Sequence, residues 1–231
     1  MIIHNFDPVF IDLGFFQIRW YALAYIAGII IGLIYAKKIA IATKRKVFRY
    51  DVNPNLVDDL ISYLIIGIIL GGRIGYVLFY NLNYFIENPI KIFFIWEGGM
   101  SFHGGLVGVT ILTLFFSKKN NVGLFPLTDI ISCAAPIGIF FGRLANFING
   151  ELYGKVTTFP WGVVFPNAGS EPRHPSQIYE AGLEGVLLFL IMYFLFVKNK
   201  LLSKTGIATL FFLTFYSLFR LISENFREPD I

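Results

Sequence analysis

The stretch GRLANFINGELYG at 142–154 sets Arg143, Asn146 and Asn149 three residues apart, with Glu151 just beyond. On a helix that spacing puts the three side chains on one face. Arg220 and Glu224, four apart, share a face in the same way. Both sets interrupt apolar runs, where a centrally placed arginine costs roughly 2.5 to 3.5 kcal/mol on the insertion scale. Arginine stays charged in a low-dielectric setting and grips phosphate through a bidentate fork. The chemistry within reach is capture of an anionic, phosphate-bearing ligand. His103 and Arg73 add a titratable ring and a further cation inside apolar segments.

What is missing narrows the reaction. His4, His103 and His174 form no HExxH or His/Cys cluster, so no metal and no cofactor are expected. The single Cys133 sits in an apolar run, as a small packing residue would. There is no GxSxG elbow and no P-loop. With no nucleophile evident, direct transfer between two bound substrates fits better than a covalent intermediate.

Plainer roles stand beside these. Arg73 or Arg143 can snorkel from a helix end. His103 can be a hydrogen-bonded structural histidine, and Arg220–Glu224 a structural ion pair. The glycine pairs at 71–72, 98–99 and 104–105 suit tight helix packing as well as amide contacts to phosphate. Tyr21 and Tyr25 suit an aromatic belt.

The elements that must position these residues are membrane helices. Of 231 residues 56% are hydrophobic and only 15% charged, against about 25% charged in a soluble domain. Mean hydropathy is +0.67. The chain reads as all-α, a polytopic transmembrane helix bundle forming one integral-membrane domain over 1–231, with no nucleic-acid partner. Spans are expected at Tyr21–Ile39, Leu56–Phe79, Met100–Phe116, Thr128–Ile148, Ile178–Val197 and Gly206–Ile222. MIIHNFDPVF carries neither a basic region nor a cleavage site, so no removable signal peptide is expected.

The connections after the first, third and fifth spans read KKIAIATKRKVFR, KKNN and KNKLLSK, whereas the opposite ones hold Lys91, Lys155 and Arg173. Lys and Arg accumulate on the cytoplasmic side, so the N-terminus is expected to face out. Residues 150–177, rich in Pro and Gly, are expected to fold as an outer-face cap. In this orientation all six helices deliver polar groups to the outer leaflet. They are Tyr21 and Tyr25, Arg73, His103, the Arg143 set, Gln177 with Tyr179 and Glu180, and Arg220 with Glu224. Such groups normally face a bundle interior or a wet cavity.

At GRLANFINGELYG the chain resembles the prolipoprotein diacylglyceryl transferases, bacterial membrane enzymes that start lipoprotein maturation. Further motifs match in order: IRWYALAY at 18–25, GGRIGYVLFYN at 71–81, WEGGMSFHGGLVG at 96–108, RHPSQIYEA at 173–181 and RLISENFREPD at 220–230. The resemblance implies transfer of the diacylglyceryl group of phosphatidylglycerol to the lipobox cysteine thiol of a prolipoprotein, releasing glycerol 1-phosphate. It implies a place in the bacterial cytoplasmic (inner) membrane, with phosphatidylglycerol, the lipobox peptide and membrane lipid as partners. It also implies roles. Arg143 and Arg220 would hold the phosphate as it leaves, and His103 would orient or deprotonate the thiol. Glu151 and Glu224 would orient the arginines or the glycerol hydroxyls. Asn146 and Tyr25 would hydrogen-bond the headgroup, Gly154 would allow a tight turn, and Arg73 would be a secondary phosphate contact. A seventh helix usually follows the REPD segment in this family, whereas six are expected before Ile231 here. The rival class is a transporter or scramblase for anionic lipid headgroups. It would place polar groups near the midplane and in repeated halves, which this sequence does not do.

Overall fold

The computed structural model describes residues 2–15, 17–42, 52–198 and 204–229. Two short strands, β1 (Ile2–Ile3) and β2 (Val9–Asp12), lead to β3 (Gln17–Arg19). The helices are α1 (Trp20–Ala42), α2 (Pro54–Phe79), the short α3 (Leu82–Glu87), α4 (Phe102–Asn120) and α5 (Leu124–Ile148). After β4 (Val163–Val164) and β5 (Pro172–Arg173) come α6 (Ser176–Lys198) and α7 (Ile207–Glu224).

Helices α1, α2, α5, α6 and α7 are long and apolar enough to cross a membrane. At most 39% of the most apolar window of any of them is buried. The rest presents side chains such as Ile30, Leu70, Ile74, Leu213 and Leu221 outward, the surface of a protein solvated by lipid. The chain is a polytopic membrane helix bundle. The expected third crossing corresponds to α4, which is helical over 19 residues. His103 near one end and Lys118 and Lys119 at the other make it less apolar, so among the described residues five helices rather than six are both long and apolar enough. Much of the basic sequence behind the orientation argument, 43–51 and 199–203, lies outside the described residues.

Local chemistry explains the helix ends. Asn53 caps α2 through its side chain, which accepts from the Asn55 amide, and Pro54 sits in the first turn. The Ser101 side chain accepts from Gly104 N at 3.1 Å and caps α4. The N-terminus of α7 is capped from another helix. Asp129 of α5, fully buried, accepts from Gly206 N at 2.7 Å, Thr209 N at 2.8 Å and Thr209 Oγ1 at 2.8 Å.

Packing follows small residues. Gly67, Gly71 and Gly75 of α2 face Gly104 and Gly108 of α4. A Cβ on Gly67 would lie 2.9 Å from the Gly108 carbonyl, and one on Gly75 would lie 2.7 Å from Gly104 Cα. The glycines are what let these backbones meet. Helix α1 lies against α5, with Gly28 over Gly138. The buried core includes Ile39, Leu60, Ile130, Cys133, Leu188 and Phe196.

A small cap covers one end of the bundle. Strand β1 pairs in parallel with β4, which pairs antiparallel with β5. Gly154 bridges Arg227, and Val156 bridges Arg173. His4, buried, lies 2.6 Å through Nε2 from the Phe147 carbonyl and fastens β1 to the last turn of α5. The cap therefore draws on three separate parts of the chain.

Candidate active site

Where α5, α6 and α7 meet beneath the cap, three arginines converge on one carboxylate oxygen. Glu180 Oε2 lies 2.8 Å from Arg143 Nη2, 3.1 Å from Arg220 Nη1 and 3.5 Å from Arg227 Nη1. Arg143 also reaches Glu184 Oε2 at 3.4 Å, and Arg220 reaches Glu224 at 3.2 Å. Glu180 and Glu184 are fully buried, while the Arg143 and Arg220 side chains keep 17% and 28% exposure. The carboxylates thus lie behind the cations, and the cations reach the accessible side. The turn carrying Glu184 is a π-type stretch, Ala181–Leu187, a distortion that often marks functional sites.

Three of these groups escaped the sequence reading. Glu180 stood among the converging residues without a role, and Glu184 and Arg227 were not singled out. Their signal is tertiary, because Glu184 reads as one acid in an apolar helix and Arg227 follows the end of α7. Tyr216, one turn before Arg220, is also within electrostatic reach of Glu184 and Arg143.

A chain of polar groups runs beside the cluster. Asn146 Nδ2 donates to Glu151 Oε1 at 2.7 Å, and Gln177 Nε2 donates to the Glu151 carbonyl at 2.7 Å. The Tyr21 and Tyr25 hydroxyls lie 3.2 Å apart. Tyr25 opens onto a cavity of about 470 Å³ between α1, α2 and α5, walled by aliphatic residues such as Ile29, Leu64, Ile68 and Ile131. A cation cluster with hydrogen-bonding groups above an apolar cavity is complementary to a lipid with an anionic headgroup.

The profile of the family described as prolipoprotein diacylglyceryl transferase matches residues 8–231. The chain belongs to this family. It is 52% identical over 227 residues to a Rhodopseudomonas palustris protein, covering 97% of this chain and 79% of that one. It is 48% identical to proteins of Rickettsia typhi and Rickettsia canadensis, covering all of this chain and 87% of each. All three are named phosphatidylglycerol–prolipoprotein diacylglyceryl transferase.

In this diacylglyceryl transferase chain the remaining expected residues sit differently. Arg73 is 5% exposed and donates from Nε, Nη1 and Nη2 to the carbonyls of Lys91, Ile92, Phe94, Gly98 and Gly99. With every N–H committed, it anchors the loop before α4, and the geometry argues against the expected phosphate contact. Gly98 and Gly99 adopt positive φ there and turn their carbonyls to Arg73, a loop-building role. Gly154 forms no tight turn. It lies where three backbones meet, donating to the His174 carbonyl at 2.9 Å, and a Cβ would run into the Phe226 carbonyl.

His103 occupies the first turn of α4, exposed, packs edge-on against Phe102 and lines a groove between α2 and α4. Among the described residues no hydrogen bond or ion pair joins it to the arginine cluster. Asn149 is the C-cap of α5, and its Oδ1 is buried without a hydrogen-bond partner among the described residues.

Proposed function

We infer that this chain transfers the diacylglyceryl group of phosphatidylglycerol to a prolipoprotein, as the proteins it matches are named for. The observation that carries the chemistry is the gathering of Arg143, Arg220 and Arg227 around Glu180 at one end of the bundle. In the finer reading the lipobox cysteine sulfur attacks the glyceryl carbon bonded to the phosphate oxygen. The C–S bond forms, the C–O bond breaks, and glycerol 1-phosphate leaves with the electron pair.

Arg143 and Arg220 bind the lipid phosphate and stabilise the charge that grows on it as it leaves, in a site where fixed donors act more strongly than in water. Asn146 and Tyr25 hydrogen-bond the headgroup, Glu151 holds Asn146, and Glu224 holds Arg220. The cavity below Tyr25 takes acyl chain. His103 orients or deprotonates the thiol, which reacts as thiolate and has a free pKa of about 8.5. The cap and the N-terminus face outward from the bacterial cytoplasmic membrane, a reading supported by the Lys/Arg-rich opposite connections.

The test uses purified protein in phosphatidylglycerol micelles with a lipobox peptide. Glycerol phosphate release should match a diacylglyceryl mass gain on the peptide. Arg143→Ala should lower both about 10²- to 10³-fold, the range for loss of one preorganised donor. Lipid movement without peptide modification would instead favour a carrier.

A further inference from the structure

Each arginine of the cluster already has a carboxylate partner. Arg143, Arg220 and Arg227 meet Glu180, Glu184 and Glu224, all within 3.5 Å. A phosphodiester entering this group brings a further negative charge into surroundings of low dielectric. Either the arginines release a carboxylate or the anion is held without its share of them.

The geometry shows where release would fall. Glu224 is 52% exposed, so its charge is already shared with the surroundings, and among the described residues Glu184 forms an ion pair with Arg143 alone, at 3.4 Å. Among the described residues Glu180 alone forms ion pairs with all three arginines, and all three contacts use Oε2. Its Oε1 is buried with no partner among the described residues. Among the described residues the arginines hold this carboxylate, and it pairs with all three of them.

Arg227 differs from the other two. It is 4% exposed and its backbone bridges Gly154 of the cap, so it is fixed in place. Arg143 and Arg220 are partly exposed and reach Glu180 through terminal nitrogens.

Resting on the reading of Arg143 and Arg220 as phosphate ligands, we propose that Glu180 is an internal counter-anion. It gathers the arginines in the empty site, then yields Arg143 and Arg220 to the lipid phosphate while Arg227 retains it. Glu180 is a positioning residue, acting on substrate only through the arginines. It has two opposed effects. Competition with phosphate weakens lipid binding, and keeping the guanidiniums together leaves them aligned for the departing phosphate.

The two effects separate in kinetics. Glu180→Gln keeps the side-chain volume and removes the competitor's charge. Its KM for phosphatidylglycerol should fall about threefold to tenfold while kcat falls about tenfold or more, the signature of lost ground-state competition with lost alignment. Glu180→Asp keeps the charge but withdraws it by one methylene, and should lie between wild type and Gln in both constants. A merely structural role predicts fewer active molecules at unchanged KM, or a raised KM.

The measurement is kcat and KM for phosphatidylglycerol with a saturating lipobox peptide, on full-chain protein shown by gel filtration to be monodisperse. An unchanged or raised KM in Glu180→Gln overturns the proposal. Should that variant not fold, an unchanged or raised KM in Glu180→Asp overturns it equally. Wild type and Arg143→Ala run alongside. An inactive wild type overturns the functional reading and this proposal with it, whereas an active wild type with unmoved KM in the variants overturns the counter-anion alone.

Discussion

Asp129 on α5 and Thr209 on α7 are joined by two hydrogen bonds, from the Thr209 amide and hydroxyl to the same carboxylate oxygen, each 2.8 Å long. The other oxygen takes the Gly206 amide at 2.7 Å. One buried side chain thus serves as N-cap for a helix it does not belong to. It fixes the start of α7, and so the register that carries Arg220 to Glu180 at the far end.

Asp129→Ala should therefore destabilise the bundle by about 2 kcal/mol, the upper range for loss of a cap, with further loss from buried amides left without an acceptor. Asp129→Asn keeps an acceptor and should lose less. Thermal unfolding in detergent measures both.

Arg73→Ala should act on stability and not on lipid affinity. Removing it takes the donor from the Ile92, Gly98 and Gly99 carbonyls and one of two donors from those of Lys91 and Phe94, at a cost on the order of 3 kcal/mol. Lysine cannot substitute, because it has three donors and no planar fork. The expected outcome is a lower unfolding temperature with an unchanged KM for phosphatidylglycerol in the folded fraction. A raised KM would return Arg73 to the phosphate site.

Gly75→Ala should force α2 from α4. The added methyl would lie 2.7 Å from Gly104 Cα, a backbone atom that cannot swing aside. Overpacking of this kind typically costs 1 to 3 kcal/mol. Gly32→Ala on α1, where a Cβ meets nothing within 4 Å, is the control and should melt like wild type.

Acid should loosen the cap through His174. Its Nδ1 lies 3.1 Å from the Tyr179 hydroxyl, and burial holds its pKa below the ordinary value. Above that ordinary value, about 6.5, the ring is neutral folded or unfolded and adds no pH dependence. As pH falls below it the unfolded chain takes up the proton first, so stability declines until the folded-state pKa is passed. His174→Gln should flatten that part of the stability profile, measured by unfolding temperature from pH 7.5 to 5.

The helices were legible in the sequence because apolar runs of membrane length leave little choice of structure. Expected Leu56–Phe79 and observed Pro54–Phe79 differ by two residues at the N-terminal end. The edges of α4 were less clear, since glycines, a histidine and two lysines dilute its apolar run. The N-terminal strands gave no signal: Ile2–Ile3 is too short to show a period, and its partner Val163–Val164 is remote. Arg143, Asn146, Glu151 and Arg220 stood out because charge and amide groups are costly among apolar residues. The same cost made Arg73 look like a ligand contact, because the sequence cannot show that five carbonyls of one loop turn toward it.

By itself, then, the sequence determined the solvent, the helices and the end at which polar residues collect, since these depend on local composition along each segment. The family signature lies in contiguous residues and was equally open to reading. Tertiary structure decided which arginines share a site. Arg143 stands on α5, Arg220 on α7 and Arg227 just beyond it, and only packing of α5, α6 and α7 brings them to Glu180. It also set Arg73 to building a loop and His103 on a different groove. Composition shows that a charge must find a partner in an apolar medium, and only the fold determines which partner is within reach.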